Sequence, residues 1–299
     1  MKNLIKNRSI SFVSDSFNVE PWALRFNDEE INYFWRPADL PKLGTAVCFP
    51  LMGGLPDNKY MLDGKEYTMD THGFAQDREF AIAEKDGEHI CYDLTDDAGT
   101  YQQYPWHFRF SLTYAVEGET LKTSYRVENR DEKELYFSVG GHPRYACPIT
   151  PGTSFEDYFI EFEKPESVKN IVKAYVPLSE IAARMSADGR RLDMDYRLFA
   201  QGCFCFHPCH SGEICLRNKK DGRGLHIQLR GAAKAVRGAS HLQVWTQSGA
   251  PFLAIEPIFG STSALPFKPE DSDWKGRPGT LHIKSGETFT CAYEVTPLR

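Results

Sequence analysis

The stretch Leu121–Val127, which reads LKTSYRV, alternates Leu, Thr, Tyr and Val with Lys, Ser and Arg. A side-chain period of two residues is typical of a β-strand with one buried face. The same pattern recurs at Tyr158–Phe162, Leu225–Leu229 and Phe289–Val295. Turn-forming pairs such as Asp-Gly separate the strand-like runs, and 13% of the residues are aromatic, which suits strands packed face to face. Many short strands joined by hairpin turns predict an all-β fold, either a sandwich or a barrel.

Helical signals are scarce in the rest of the chain. The segment Ser179–Met185 predicts one short helix, with Ser179 as its N-cap. The segment Phe267–Pro278 is rich in proline and charge, and it predicts a long surface loop. No internal repeat or flexible linker divides the 299 residues. We therefore predict a single domain over residues 1–299, since a large all-β domain reaches this length.

Composition narrows the range of partners. Lys plus Arg against Asp plus Glu gives 35 − 41 = −6, and a mildly acidic chain argues against binding to nucleic acid or an acidic membrane. No apolar run approaches the ~20 residues that span a bilayer, and the first residues are too polar for a signal peptide. These observations predict a cytoplasmic protein with no nucleic-acid and no membrane partner. The eight cysteines are then expected to be reduced thiols.

Three short segments that contain Gly or Pro each carry one ionisable side chain. His72 lies in THGF, His142 in GGHP and Glu256 in AIEP, and each segment adjoins a strand-like run. If they converge in one pocket, two histidines and a carboxylate can move a proton on and off a substrate without a metal or a cofactor. This set is the main functional signal of the sequence.

The surroundings of His142 favour a functional role. It follows the strand-like run Leu135–Val139. Gly140 and Gly141 allow the backbone to turn or to approach a ligand closely, and Pro143 restricts the chain on the far side. We therefore expect the imidazole to project from a stiff strand end. The alternative is an ordinary histidine in a loop with its hydrogen bonds satisfied.

The other two segments also leave alternatives open. Glu256 closes an almost continuous apolar run, so we expect it to be partly desolvated, with a pKa raised toward the range of a general base. It could instead face water at a strand end. Near His72, the Arg78 side chain could bind an anion or a sugar hydroxyl, or simply pair with Asp77 or Glu79.

Four motifs in the right order resemble the aldose 1-epimerase (galactose mutarotase) family, most closely its branch associated with lactose operons. They are Phe49–Leu55, Thr71–Phe80, Gly140–Pro143 with Cys147 and Pro148, and Trp245-Thr246 with Pro251–Pro257. The resemblance implies a galactose mutarotase-like β-supersandwich of large antiparallel sheets. It also implies a cofactor-free isomerase that opens and recloses the ring of a free aldose, which interconverts its α and β anomers.

The resemblance also implies roles for individual residues. Glu256 would be the base at the anomeric hydroxyl and His142 the acid at the ring oxygen, while His72 would bind the same region. Gln243 resembles a glutamine of the family that binds a sugar hydroxyl. Trp245 either lies against the apolar face of the sugar or is an ordinary core aromatic.

The chain departs from the family pattern around this set. Many relatives have an arginine that contacts the sugar where Gly54 stands, so Arg78 or another residue must compensate, or the substrate differs. Ile258 replaces a tryptophan, Arg144 replaces a small residue, and no carboxylate lies near Gly202. This pattern predicts retained proton chemistry on an altered sugar.

Other functions remain open from the sequence. The fold could serve a non-catalytic sugar sensor, a polysaccharide-active enzyme, or a hexose-6-phosphate 1-epimerase. The last would need a cluster of cations for the phosphate, for which Arg78, Arg144 and the pair Lys219 and Lys220 are candidates. The expected partner is a small-molecule sugar, free or phosphorylated, bound to a monomer or a homodimer.

A cysteine-rich segment, Cys203–Cys215, raises the possibility of zinc. It contains four cysteines and two histidines, and zinc takes four such ligands. A second cysteine pair with the spacing of a structural zinc site is absent from the sequence. We therefore predict no metal and interpret these residues as buried reduced thiols on a strand.

Overall fold

The structure is a computed structural model that describes residues 1–37, 45–229, 241–265 and 273–299. Within these ranges the chain forms 23 strands and two short α-helices. The strands, in chain order, are β1 (Lys2–Lys6), β2 (Ile10–Asp15), β3 (Pro21–Phe26), β4 (Val47–Cys48), β5 (Lys59–Leu62), β6 (Lys65–Thr68), β7 (Ala81–Lys85), β8 (His89–Thr95), β9 (Phe108–Glu117), β10 (Thr120–Asn129), β11 (Leu135–Phe137), β12 (Val139–Gly141), β13 (Arg144–Ala146), β14 (Tyr158–Phe162), β15 (Ile171–Ala174), β16 (Arg191–Asp193), β17 (Phe204–Phe206), β18 (Glu213–Asn218), β19 (Gly224–Gln228), β20 (His241–Trp245), β21 (Phe252–Phe259), β22 (Leu281–Ile283) and β23 (Thr288–Leu298). The helices are α1 (Ala98–Gln103) and α2 (Leu178–Ala182), and 3₁₀ turns cover Pro56–Asn58, Ala75–Asp77, Phe155–Asp157, Val168–Asn170 and Tyr196–Phe199. The all-β prediction is confirmed.

The larger sheet has nine antiparallel strands in the order β16-β14-β18-β19-β23-β10-β9-β8-β7. The stretch Leu121–Val127 lies in β10, paired on one side with β9 and on the other with β23. Leu121, Thr123, Tyr125 and Val127 are buried there, as the alternation predicts. The other three predicted runs form β14, β19 and β23 of the same sheet.

A second sheet has the strand order β15-β17-β20-β21-β12-β4, with β13 also paired to β21. We call it the seven-stranded sheet. Its inner face packs on the nine-stranded sheet through aromatic contacts. Phe206 lies 5.5 Å from Phe162, and Phe259 lies 6.2 Å from Tyr125, measured between ring centroids. Two sheets therefore enclose the core, and the outer face of the seven-stranded sheet is left for the site described below. Smaller sheets are formed by β1-β2-β3, β11-β22 and β5-β6.

The single predicted helix is present but begins differently. It is α2, and its N-cap is Pro177 rather than Ser179, which lies inside the helix. Proline has no N–H to satisfy, so it precedes a short helix at no cost in hydrogen bonds. Half of the predicted loop Phe267–Pro278, residues 267–272, lies outside the described residues. Among the described residues, no helix is both long and apolar enough to cross a membrane.

The glycine pair before His142 has a different role from the predicted turn. Gly140 and Gly141 belong to β12, not to a loop. A Cβ on Gly141 would lie 2.8 Å from Tyr125 Oη, closer than real Cβ atoms come to a neighbour. Glycine is needed here because the nine-stranded sheet packs directly against this backbone.

Candidate active site

Two neighbouring strands bring most of the predicted residues together. β20 pairs with β21 so that Gln243 is opposite Glu256 and Trp245 is opposite Ala254. Side chains alternate between the faces of a strand, so Gln243, Trp245 and Glu256 share the outer face while Val244 is buried in the core. Glu256 does not close the strand as predicted. It lies within β21, in which all eight residues are buried.

An interruption in the sheet places His142 beside Glu256. On the other side of β21, β12 pairs as far as Ile258, and β13 resumes the pairing at Ala254. His142 lies between those two strands, and its Nε2 is 3.3 Å from Glu256 Oε1. Pro257 occupies the same interval, where its missing N–H removes no hydrogen bond to either strand.

Glu256 is a buried carboxyl group with one strong donor. Its Oε2 accepts a hydrogen bond from Gln243 Nε2 at 2.7 Å, and none of its surface is exposed. Burial raises the pKa of Glu256 to about 8, although the Gln243 hydrogen bond and the nearby Arg144 guanidinium oppose that shift. The expectation of a desolvated glutamate is therefore confirmed.

His142 is shifted in the opposite direction. Burial lowers its pKa well below the usual range, and the neighbouring His72 ring and Arg144 guanidinium act in the same direction. At neutral pH the two shifts together leave one proton on Glu256 and an uncharged imidazole on His142. Glu256 Oε1 and His142 Nδ1 make no hydrogen bond with any residue in the described ranges.

His72 lies next to this pair in an uncommon backbone conformation, with φ of 70°. Its Nδ1 accepts a hydrogen bond from the Gly53 N–H at 3.2 Å, and its ring centroid is 5.4 Å from that of His142. Burial lowers the pKa of His72 to about 4, so the ring is uncharged at neutral pH. Because Nδ1 is an acceptor, the ring proton is on Nε2, which makes His72 a hydrogen-bond donor.

His72 and His142 line a cleft with two connected lobes, and Glu256 lies beneath its surface. The His142 lobe has a volume of about 390 Å³ and is also lined by His72, Arg144 and Trp245. The Lys173 lobe has a volume of about 460 Å³ and is also lined by Gly54, Ser263 and Arg277. The lobes share His72, Tyr175, Cys203 and Gln243. Each is large enough to hold a small polar ligand.

Comparison with known proteins identifies the family. A family model described as aldose 1-epimerase matches residues 47–296. The chain belongs to the aldose 1-epimerase family. It is 26% identical over 280 residues to the protein LacX, plasmid, of Lactococcus lactis subsp. lactis, with 90% of each chain covered. The family and the LacX-like branch predicted from the motifs are thus confirmed, and membership implies a small-molecule sugar as substrate.

Solved structures confirm the fold of this aldose 1-epimerase family member. A galactose mutarotase related enzyme from Lactobacillus acidophilus superposes with a TM-score of 0.85 at 22% identity, covering 100% of this chain and 98% of that one. A galactose mutarotase-like protein from Lactobacillus casei gives a TM-score of 0.83 at 20% identity, with 100% of both chains covered. The predicted β-supersandwich is therefore correct.

Within this family member, five of the six predicted site residues converge. They are His72, His142, Gln243, Trp245 and Glu256. Arg78 does not join them: it lines neither lobe, and its Nη1 donates to Asp97 Oδ2 at 2.9 Å. Trp245 lines the His142 lobe, with its ring centroid 5.6 Å from that of His142.

The cations proposed for a phosphate are separated. Arg144 lines the cleft, but Lys219 pairs with Asp193 at 3.2 Å and Lys220 with Asp157 at 2.7 Å. In contrast, the cleft is lined by three residues that no sequence motif predicted, namely Lys173, Tyr175 and Arg277. Their positions depend on which strands pair, which residue spacing does not reveal.

The cysteine-rich segment is divided between the sheets. Cys203 lines the cleft and Cys205 is buried on β17, whereas Cys215 lies on β18 of the nine-stranded sheet. In the part of the chain that the structure describes, no group of three or more His, Cys, Asp or Glu side chains is arranged to hold a metal ion.

Proposed function

We propose that the protein is an aldose 1-epimerase that interconverts the α and β anomers of an aldose. The observation that carries the proposal is the buried His142–Glu256 pair, 3.3 Å apart, of which His142 lines the cleft. Family membership supports the same reaction. A sugar sensor on this fold would not need an acid and a base beside one another.

Glu256 accepts the proton of the anomeric hydroxyl while His142 donates a proton to the ring oxygen. The bond between C1 and the ring oxygen breaks, the free aldehyde rotates about the C1–C2 bond, and the two proton transfers reverse as the ring recloses on the other face. One acid and one base are sufficient for this cycle. The Trp245 ring packs against an apolar face of the sugar, and His72 Nε2–H donates to an oxygen near C1.

The starting protonation state is compatible with these roles. The pair holds a single proton, which burial favours on Glu256. The reactive form, with ionised Glu256 and protonated His142, contains the same number of protons. It is reached when the 3.3 Å contact between Glu256 Oε1 and His142 Nε2 closes to a hydrogen bond and one proton crosses it, without exchange with water. Since Glu256 lies behind His142 and Gln243, the mechanism also requires a side-chain shift that opens Oε1 to the sugar.

Anomer exchange measured by polarimetry or NMR tests the proposal. Starting from a pure α anomer, the protein should accelerate equilibration of at least one aldose above the spontaneous rate. Glu256→Gln and His142→Gln should each lower kcat by about 100-fold to 10,000-fold, the range of general acid–base catalysis.

The surface supplies a matched control pair. His226 Nε2 lies 3.0 Å from Glu213 Oε2 in the nine-stranded sheet, away from the cleft. His226→Gln and Glu213→Gln make the same chemical changes and should leave the rate intact. If no aldose, free or charged, equilibrates faster with the protein, or if Glu256→Gln remains fully active, the proposed reaction is wrong.

A further inference from the structure

The charge of the cleft differs from that of the whole chain. The chain carries a net charge of −6, yet Arg144 and Lys173 line the two lobes. No Asp or Glu is among the described residues that line either lobe. Glu256 lies beneath the surface and holds a proton at neutral pH. The cleft therefore presents positive charge on a chain that is negative overall, which attracts an anion.

Strand pairing explains how one of these cations faces the catalytic pair. Lys173 on β15 is opposite Cys205, Cys205 is opposite Gln243, and Gln243 is opposite Glu256. These four residues form one row across the outer face of the sheet. Strands are spaced about 4.8 Å apart, so the Cα atoms at the ends of the row are about 14 Å apart. Cys205 is fully buried in this row, whereas Lys173 and Gln243 on either side of it line the Lys173 lobe.

The Lys173 ammonium group has no ion-pair or hydrogen-bond partner in the part of the chain that the structure describes. Its Nζ lies 5.3 Å from the centroid of the Tyr175 ring. Arg144 resembles it. The guanidinium of Arg144 has no carboxylate within ion-pair distance in the described ranges and makes one long hydrogen bond, 3.4 Å, to Thr45 O.

Other arginines of the chain are neutralised by carboxylates. Arg78 pairs with Asp97 at 2.9 Å, and Arg184 pairs with Asp195 at 2.7 Å. A partly buried cation without a counterion is unfavourable unless a ligand supplies the charge. Lys173 therefore stands out as the cation whose partner comes from the substrate, and Arg144 adds to the positive charge of the neighbouring lobe.

We propose that the substrate is an anionic aldose, one that carries a phosphate or a carboxylate. Its anomeric carbon lies at the His142–Glu256 pair and its anionic group lies in the Lys173 lobe. The inference rests on the proposed function for the position of C1, whereas the charge preference rests on the lining of the cleft alone. An ammonium group acts as a compact positive charge and binds a phosphate or a carboxylate. The two anions are therefore recognised by the same interaction.

Competing sugars test the preference. We would measure anomer exchange by NMR for glucose and galactose, their 6-phosphates, and the corresponding uronates. We expect kcat/KM for the best anionic sugar to exceed that of its neutral parent by about tenfold or more, the effect of one charge-assisted hydrogen bond. The advantage should shrink as ionic strength rises. The phosphate and uronate arms identify which anion the lobe accepts.

Two lysine variants locate the anion. Lys173→Met should raise KM for the anionic sugar about tenfold with little change in kcat, because the lysine is remote from C1. Lys169→Met removes the same charge four residues away, from an exposed side chain outside both lobes, and should behave as the parent. If Lys173→Met matches Lys169→Met, or if it weakens neutral sugars equally, the anion does not lie in this lobe.

Binding measurements separate this inference from the proposed reaction. Titration calorimetry with Glu256→Gln should show tighter binding of the anionic sugar than of its neutral parent, whether or not the parent protein catalyses exchange. Turnover of neutral sugars at equal or higher kcat/KM would overturn the anionic preference and leave the epimerase proposal standing. Tight binding of the anionic sugar without any turnover would support the anionic preference and overturn the epimerase proposal.

Discussion

The buried carboxyl group of Glu256 makes a quantitative prediction about stability. Burial raises its pKa from an ordinary value of 4.5 to about 8. Between those two pH values the folded protein keeps a proton that the unfolded chain has released. Stability contributed by that proton is complete below pH 4.5, and it is lost as the pH rises through 8.

The size of the effect follows from the shift. Between pH 4.5 and pH 8, each rise of one pH unit lowers the free energy of unfolding by about 1.36 kcal/mol for one proton. Between pH 5 and pH 8 the free energy of unfolding should therefore fall by about 4 kcal/mol on account of Glu256. No discount for solvent screening applies, because none of the Glu256 surface is exposed.

Glu256→Gln isolates this contribution, since glutamine has nearly the same shape and does not titrate. Other groups titrate in both proteins and cancel in the difference. The difference in unfolding free energy, parent minus variant, should fall by about 4 kcal/mol from pH 5 to pH 8. The stability of Glu256→Gln relative to the parent protein is therefore greatest at pH 8.

Urea denaturation at constant ionic strength between pH 5 and pH 8 measures the difference directly. Glu213→Gln, which changes an exposed glutamate, should run parallel to the parent protein. A difference between parent and Glu256→Gln that stays constant across the range would refute the reasoning. It would mean that water or a cation reaches the carboxylate and keeps it ionised.

Two further predictions concern the site and its support. The pH profile of kcat/KM should stay level through neutral pH and decline above about pH 8, because the pair then loses its single proton. A rate that instead rises through pH 8 would show that His142 is not the acid. Gly141→Ala should lower the free energy of unfolding by about 1–3 kcal/mol, since the new Cβ would lie 2.8 Å from Tyr125 Oη. Gly87→Ala, at a position with open space around it, is the control in thermal unfolding; equal melting temperatures for the two variants would contradict the packing argument.

The sequence predicted those features that depend on local pattern. Alternation of side chains identified β10, β14, β19 and β23, because each buries one face. Short motifs identified His142 and Glu256, because the residues around each are unusual. Both signals extend over a few residues and need no knowledge of which strands pair.

Features that depend on which strands pair could not be predicted from the sequence. Glu256 with its proline looks like a strand end, yet β21 continues to Phe259 because the neighbouring strands are interrupted there. Arg78 follows His72 closely in sequence, but the 3₁₀ turn Ala75–Asp77 lies between them and Arg78 pairs with Asp97. Lys173 reaches the cleft only through the pairing of β15 with β17.

The cleft combines residues held in the middle of the seven-stranded sheet with residues at its edge and in loops. His142 and Glu256 are held by strands in the middle of a sheet, where a change of register would disturb both layers of the core. Lys173 lies on the edge strand β15, and Gly54 lies between strands. If the proposed reaction is correct, substitutions at the edge and in the loops would therefore change which sugar binds and leave the geometry of the His142–Glu256 pair intact.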